Sequence, residues 1–373
     1  MPVVAGEAGQ MTTSAAAGTL DEAYERLHVT GPEFDGFLSN HGPMAAEAMV
    51  RRGHGEVVGP WLERYMRRLE EFPRRVSPIG AGWQEALGDP RRVADWTALF
   101  SRQIGDQPWR QVLNVWWPRL LAGVAAAATH GVIRVGHAVR ALLADGEDDS
   151  HLAELAQGLA YWAARWLAVP AGPAGAALAA AARKARAATP LEALAAVPRI
   201  AEQSGVAGDR LARLGDLAAW PPALAGLSVP AEPEQIPALL VGLADAATLR
   251  YLFYGHGNAV MLVHSATAPT AVLRTLPALD TVLWAPSLAA AWTASSALTA
   301  IYAPAEPAPR EHLPEPPAGQ SRDQAAADTF ARAVEHGDEH VIKFADTAVE
   351  VFARTGEPDA IAAVIRAAEL IER

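Results

Sequence analysis

The chain of 373 residues contains no cysteine. Without thiols it can form no disulfide bond, no thiolate nucleophile and no Cys-based zinc or iron–sulfur site. Any metal that this protein binds must therefore be held by nitrogen and oxygen ligands, which come from histidine, carboxylate or modified side chains.

Basic residues are also in the minority. The chain has 31 Lys and Arg against 42 Asp and Glu, which gives a formal net charge of −11. No basic stripe is visible, and an acidic chain repels phosphate backbones. We therefore expect no nucleic-acid partner.

The glycine-rich loops that bind nucleotide cofactors are missing. The sequences at 255–257 and 80–82 are Gly-x-Gly pairs without the third glycine of a dinucleotide fingerprint. There is no Gly-Lys-Ser/Thr phosphate loop and no Gly-x-Ser-x-Gly nucleophile elbow. The chain thus carries no flavin or nicotinamide signature and no serine-hydrolase signature.

Two uncharged stretches, 251–273 and 281–304, are long enough to cross a membrane. The first carries His256 and His264, the second is broken by Pro286, and neither is flanked by a Lys/Arg cluster. The N-terminus lacks the basic region of a secretory signal. We interpret both stretches as buried core helices of a cytoplasmic protein without membrane contact.

The composition is rich in Ala and Leu and poor in runs of Val, Ile and Thr, which predicts an all-α fold in one large multi-helix domain. Residues 1–19 show no periodicity, so we expect them to be disordered and the folded domain to span 20–373. Proline-rich loops are expected near 220–238 and 303–320. The Ala/Gly-rich segment 170–189 fits either a helix or a linker.

Histidines supply the strongest chemical signal. A single buried histidine is typically a core residue with a satisfied hydrogen bond, but several in separate apolar helices each need a partner once water is excluded. Seven of the eleven histidines lie in or beside predicted apolar helices: His41, His130, His137, His256, His264, His336 and His340.

Two helical spacings group these histidines. His130 and His137 lie in the apolar segment 113–143, predicted as a central helix, and differ by only about 20° around its axis. His336, His340 and Lys343 follow i, i+4, i+7 in a helix predicted over 324–354. An ordinary surface helix with internal ion pairs is the alternative for this second group.

Lys343 is the unusual member, because an ammonium group beside two imidazoles repels a metal ion. The lysine is compatible with a site if it faces solvent, if an acid such as Asp346 neutralises it, or if carboxylation converts the amine into an anionic oxygen ligand. These three alternatives remain open from the sequence.

Four blocks of this sequence resemble the questin oxidase family, in the order and over the length of chain typical of that family. They are Asn-His-Gly-Pro-Met-Ala-Ala-Glu at 40–47, Thr-His-Gly-Val-Ile-Arg-Val-Gly-His-Ala-Val-Arg at 129–140, His-Ser-Ala-Thr-Ala-Pro at 264–269 and His-Gly-Asp-Glu-His-Val-Ile-Lys-Phe at 336–344. The resemblance implies oxidative opening of a ring in anthraquinones or related aromatic polyketides, formally like a Baeyer–Villiger insertion.

The resemblance also implies a non-haem iron site with histidine ligands and a carboxylated lysine, and dioxygen as co-substrate. Carried over by block, the matching positions are His41, His130, His340 and Lys343. Fungal members have His-Pro-x-x-His in the central block, whereas this chain has arginine at the second histidine position, 134. His137 and His264 are therefore competing candidates for the remaining metal-ligand position.

Fe(II) suits a nitrogen-rich site with one carboxylate-like oxygen, although Mn, Zn or Ni are alternatives. Arg134 is the candidate catalytic residue, because it would stabilise negative charge on substrate or peroxide; its alternative role is an ion pair with Glu47 or another buried acid. The candidate substrate-binding residues are Trp116, Trp117 and His336, although large aromatic residues are commonly plain core.

The sequence therefore predicts a metal-dependent, most simply iron-dependent, oxygenase of an aromatic small molecule. Two other classes remain open. One is a hydrolase or lyase with a similar metal cage, and the other is a metal-free helical ligand-binding protein with structural histidines.

Overall fold

The computed structural model describes residues 7–170 and 188–372, with side chains from residue 18 onward. The described chain is a single all-α domain with one hairpin of two short strands, β1 (Glu33–Phe34) and β2 (Leu38–Ser39), which confirms the predicted fold class. The helices are α1 (Glu7–His28), α2 (Gly42–Arg51), α3 (Gly55–Tyr65), α4 (Val93–Asp106), α5 (Trp109–Leu121), α6 (His130–Ala144), α7 (Asp149–Ala164), α8 (Pro190–Ala195), α9 (Ala207–Ala212), α10 (Trp220–Leu224), α11 (Ile236–Tyr254), α12 (Ala259–Leu262), α13 (His264–Thr275), α14 (Trp284–Tyr302), α15 (Arg322–His336), α16 (Glu339–Thr355) and α17 (Asp359–Leu370).

The N-terminal boundary differs from the prediction. Helix α1 begins at Glu7, so the disorder expected over 1–19 does not extend to residues 7–19, and residues 1–6 lie outside the described part. Glu, Ala, Gln and Met, which are good helix formers, are interspersed with Gly, Thr and Ser in this segment, so its helix forms without hydrophobic periodicity. Of the Ala/Gly-rich segment, 171–187 also lies outside the described residues.

The apolar segment 113–143 forms two helices rather than one. Helix α5 ends at Leu121 and α6 begins at His130. In the connection, Ala127, Ala128 and Thr129 have φ values of 45°, 55° and 73°. This left-handed conformation costs a non-glycine residue about 1–2 kcal/mol. The turn places His130 at the start of a helix instead of in the middle of one.

The predicted helix over 324–354 is likewise two helices. Gly337 ends α15 with φ of 85°, a typical left-handed C-cap. The Asp338 side chain then accepts hydrogen bonds from the backbone N–H groups of His340 and Val341, which begins α16. His336 and His340 are therefore on different helices, and the predicted shared face of His336, His340 and Lys343 is wrong for His336.

Helices α2, α6, α13 and α16 pack around one point of the core, with α6 and α16 each in contact with both α2 and α13. Small residues allow this approach. A Cβ atom on Gly136 of α6 would lie 2.5 Å from the side chain of Ala271 in α13. Pro269 has no N–H for the carbonyl of Ser265, and the Ser295 hydroxyl of α14 donates to that carbonyl at 2.7 Å.

In the described part of the chain, one helical segment, Pro233–Gly257, is long and apolar enough to cross a membrane by length and composition. Half of the residues in its most apolar stretch of 18 are buried. The stretch 251–273 is divided among the end of α11, α12 and most of α13, and 281–304 is mostly the buried helix α14. The loop near 303–320 carries one short 3-10 turn, Arg310–His312, whereas the one near 220–238 contains α10 and the beginning of α11.

Candidate metal centre

Four histidines from four helix N-termini converge in the core. His41 directly precedes α2, His130 and His264 are the first residues of α6 and α13, and His340 is the second residue of α16. One ring nitrogen of each lies within 4.8 Å of those of the other three, and all four side chains are buried. His130 Nε2 is 2.6 Å from His41 Nε2 and 2.8 Å from His264 Nε2. The His340 ring centroid is 4.4 Å from that of His41.

The outer nitrogens of these rings show where the protons are. The Nδ1 atom of His130 bonds to the carbonyl oxygen of Ala127, and Nδ1 of His264 bonds to that of Met261 at 3.3 Å. A carbonyl only accepts, so each Nδ1 carries a proton and donates it. In the neutral ring the facing Nε2 atoms of His130 and His264 then both hold lone pairs.

The Nδ1 atom of His41 lies 3.6 Å from Glu339 Oε1, beyond hydrogen-bonding distance, and has no hydrogen-bond partner among the described residues. Burial lowers the pKa of His41, His130 and His264 well below the usual range, and nearby Lys343 and the other histidines lower it further. The neutral rings of His130 and His264 therefore direct lone pairs at each other across 2.8 Å, and Nε2 of His41 lies 2.6 Å from the same His130 nitrogen. A metal cation at this point fits, because it accepts all of these lone pairs.

Lys343 is buried on α16, one turn after His340, with 1% of its surface exposed. Its Nζ atom has no hydrogen-bond partner among the described residues. Burial lowers the pKa of Lys343 to about 7, although Glu339 and Asp338 act in the opposite direction. The side chain therefore does not face solvent. Asp346 does not neutralise it either, because that carboxylate pairs with Arg52, Arg140 and Arg274.

Carboxylate groups lie beside the Nδ1 atoms of two of the rings, those of His41 and His340. One oxygen of Glu339 approaches His41, and the other lies 2.6 Å from the guanidinium of Arg68. Asp338 Oδ1 is 3.4 Å from His340 Nδ1. The backbone N–H of His41 donates to the Tyr65 hydroxyl. Carboxylates in this position beside metal-binding histidines set the tautomer and orientation of the ring.

Residues 63–348 of this chain, which are more than two thirds of it, match the family model described as questin oxidase-like. The chain belongs to the questin oxidase-like family. The resemblance to this family is thus confirmed; the blocks at 129–140, 264–269 and 336–344 lie within the matched range, and the block at 40–47 precedes it. Membership implies oxidoreductase activity in aromatic polyketide metabolism. A search of curated proteins gives no match.

His137 and His264 are the two candidates for the remaining ligand position in this questin oxidase-like chain. The structure places His264 in the histidine cluster, and His137 lies outside it. The Nδ1 atom of His137 lies 2.8 Å from the buried carboxylate of Glu47, which also binds Arg140. His137 shares a face with His130 as predicted, but seven residues of helix separate the two by about 10 Å along the axis.

The predicted catalytic residue Arg134 is bound elsewhere. Its guanidinium forms two hydrogen bonds to Glu154, at 2.6 and 2.7 Å, and one to Gln157. Both acidic and basic groups are buried. This is the structural ion pair that the sequence left as the alternative, with Glu154 rather than Glu47 as the partner.

The predicted substrate-binding residues are also not part of the cluster. Trp116 and Trp117 are buried, and their indole N–H groups donate to Gln103 and Ser287. His336 donates from Nε2 to the carbonyl of Ile371 near the C-terminus. These side chains have packing and hydrogen-bonding roles in the described structure.

Sequence reasoning missed the groups around the rings. Glu339, Tyr65 and Ala127 are not among the residues that the sequence patterns assigned to the site. The Asp338-Glu339-His340 order was a usable signal for Glu339, because acids commonly occupy the first turn of a helix. No sequence pattern indicates that Ala127 presents its carbonyl to His130, since this depends on the left-handed turn.

Proposed function

We propose that this protein is an iron-dependent oxygenase that oxidatively cleaves a ring of an anthraquinone-like aromatic polyketide in the cytoplasm. The observation that carries the metal site is the set of neutral imidazoles whose lone pairs converge within the core. Family membership supports the oxidative reaction and the substrate class.

The residues that would hold the metal are His41, His130, His264 and His340. Lys343 would add an oxygen if its neutral, buried amine were carboxylated, and a nitrogen-rich site with one such oxygen suits Fe(II). When bound, iron would supply a redox centre at which dioxygen is activated toward the aromatic ring.

The chain itself contributes charge and exclusion of water. The four helices that begin at the site direct the positive ends of their peptide dipoles toward it. Such an arrangement stabilises negative charge on a phenolate or on reduced oxygen without reorganisation during the reaction. The buried rings and the apolar core around them keep bulk water away from these charges.

Elemental analysis of protein purified without a polyhistidine tag, combined with oxygen uptake on anthraquinones, tests this proposal. We expect iron near one atom per chain and uptake that depends on both metal and substrate. Insertion of one oxygen atom consumes two electrons from a donor, whereas cleavage that incorporates both atoms needs none. Measuring uptake with and without added reductant therefore identifies the reaction type.

Either of two outcomes would contradict this proposal and favour another function. Substrate turnover in the absence of oxygen would indicate a metal-dependent hydrolase or lyase that uses the same cage. Full activity or ligand binding in protein without stoichiometric metal would indicate that the histidines are structural.

A further inference from the structure

A second polar feature lies at one side of the histidine cluster. Helices α11, α13 and α14 line a narrow cleft of about 20 Å³ that opens to solvent. Its walls are largely apolar and include Tyr251, Tyr254 and Leu262, with Arg250 as the charged lining residue. An aromatic ring would therefore pack across the mouth, against the exposed part of a tyrosine ring, rather than enter the cleft.

Two arginines approach the ring of Tyr254: Arg250, which lines the cleft, and Arg199, which lies beside it. The guanidinium carbon of Arg250 lies 4.4 Å from the centroid of Tyr254, and that of Arg199 lies 5.9 Å from the same centroid. Both side chains are half-buried. Burial lowers the pKa of both groups, and the charge of Arg250 lowers that of Arg199 further.

Neither arginine has an acidic partner within the described part of the chain. Arg199 donates one bond to the carbonyl of Val197, and its Nε atom is buried without a partner among these residues. The segment 171–187 contains no Asp or Glu in its sequence. By contrast, nearby Arg310, which approaches the ring of Phe253, pairs with Asp359 at 2.8 Å.

Two adjacent cations that are partly removed from water and lack a counter-charge are unfavourable by themselves. An anion between them offsets this cost, because guanidinium groups form strong charge-assisted hydrogen bonds to carboxylates. Arginine and tyrosine side by side also accept a flat aromatic ring by stacking. The arrangement selects an aromatic anion over a neutral ring.

Two residues that line the cleft are linked to helices of the candidate metal centre. Ser265 lines the cleft and directly follows His264 on α13. The ring of Tyr251 packs on Phe344, which follows Lys343, at a centroid distance of 4.5 Å. A ligand held by the arginines would therefore lie on the side of the core where two of the cluster helices meet.

We propose that Arg199 and Arg250 form an anion-binding site that holds the carboxylate or ionised phenol of an aromatic substrate at the mouth of this cleft. The identity of the ring system rests on the proposed function. The anion site itself rests on the two arginines and their surroundings.

Binding of anthraquinone-2-carboxylate to the protein as purified, without oxygen to prevent turnover, tests the site. Calorimetry or tryptophan-fluorescence quenching gives Kd, and the neutral carboxamide of the same ring is the comparison ligand. We expect tighter binding of the carboxylate by about tenfold, since hydrogen bonds to charged groups are worth that much or more. Higher salt should reduce this preference.

Arg199→Gln and Arg250→Gln should each reduce the carboxylate preference by about fivefold or more, with little effect on the carboxamide. Arg310→Gln is the matched control, because it removes one nearby positive charge that already has an acidic partner. Circular dichroism of every variant checks the fold. Equal binding of both ligands by the parent protein, or an unchanged preference in both variants, overturns the proposal.

These results are independent of the proposed reaction. Oxygen uptake on neutral anthraquinones with no carboxylate preference would retain the oxygenase and remove the anion site. A carboxylate preference that depends on both arginines, without oxygen uptake on any anthraquinone, would retain the anion site and remove the oxygenase.

Discussion

Glu339 bridges His41 and Arg68: one carboxylate oxygen lies 3.6 Å from Nδ1 of His41 and the other 2.6 Å from the guanidinium of Arg68. The carboxylate is thereby fixed by Arg68 on one side and placed beside the His41 ring on the other. Glu339 is thus a positioning residue for the candidate metal centre, and it lies on the same helix as His340 and Lys343.

Glu339→Gln should lower metal affinity by about ten- to a hundredfold, because the amide holds the ring less strongly and makes its nitrogen less basic. Competition with a chelator measures this change without any assay of activity. Glu335→Gln, an exposed acid on α15, is the control and should have no effect. Unchanged metal affinity in Glu339→Gln would show that the contact with His41 is incidental.

His264→Ala and His137→Ala should separate the two candidates for the fourth histidine. We expect His264→Ala, like His130→Ala, to lose the bound metal and retain helical content. His137→Ala should keep the metal but lose about 1–3 kcal/mol of stability, because Glu47 loses a buried hydrogen-bond partner. Elemental analysis and urea unfolding measure both effects. The reverse pattern of metal content would assign the ligand role to His137.

Lys343→Met should keep the fold but weaken metal binding, since methionine fills the space of the buried stem and offers no oxygen. Lys343→Arg should also lose metal and, unlike methionine, destabilise the core, because a permanently charged guanidinium would be buried without a partner. Addition of ¹³C-labelled bicarbonate to the parent protein should give a carbamate signal in the NMR spectrum that is absent from Lys343→Met. Full metal content in both variants would remove Lys343 from the site.

Glu47 should make the fold sensitive to acid. Burial by itself would raise the pKa of Glu47, but Arg140 and His137 hold it well below its usual range. The stability that this ionised group contributes is therefore fully present above about pH 4.5, the usual pKa in the unfolded chain, and is lost progressively as the pH falls below that value.

Glu47→Gln should lower the free energy of unfolding by about 3–5 kcal/mol at pH 7, because it leaves Arg140 with one buried partner fewer. The difference from the parent protein should shrink as the pH falls from 5 to 3, measured by urea unfolding at each pH. Asp145→Asn, which affects a more exposed ion pair with Arg51, is the control and should cost less than about 1 kcal/mol. A difference that stays constant down to pH 3 would contradict the assignment.

The sequence by itself determined the class of this protein. The absence of cysteine and the Ala/Leu-rich composition gave an all-α domain without thiolate ligands, and short sequence blocks gave the family. Each of these properties depends on residue types and their local order, which can be read directly from the sequence. His41, His130 and His340 also followed from these blocks, and the structure places them together.

Only the tertiary structure decided which histidines meet. His137 and His264 both lie on buried helices, and their local patterns do not distinguish them, but a shared helix face still leaves His137 about 10 Å along the axis from His130. The i, i+4 spacing predicts that His336 and His340 share one face of a single helix, but the turn at Gly337 places them on different helices. The contacts between Glu339 and His41 and between Arg199 and Tyr254 join residues far apart in sequence. Such contacts are set by how helices pack, and no local pattern encodes them.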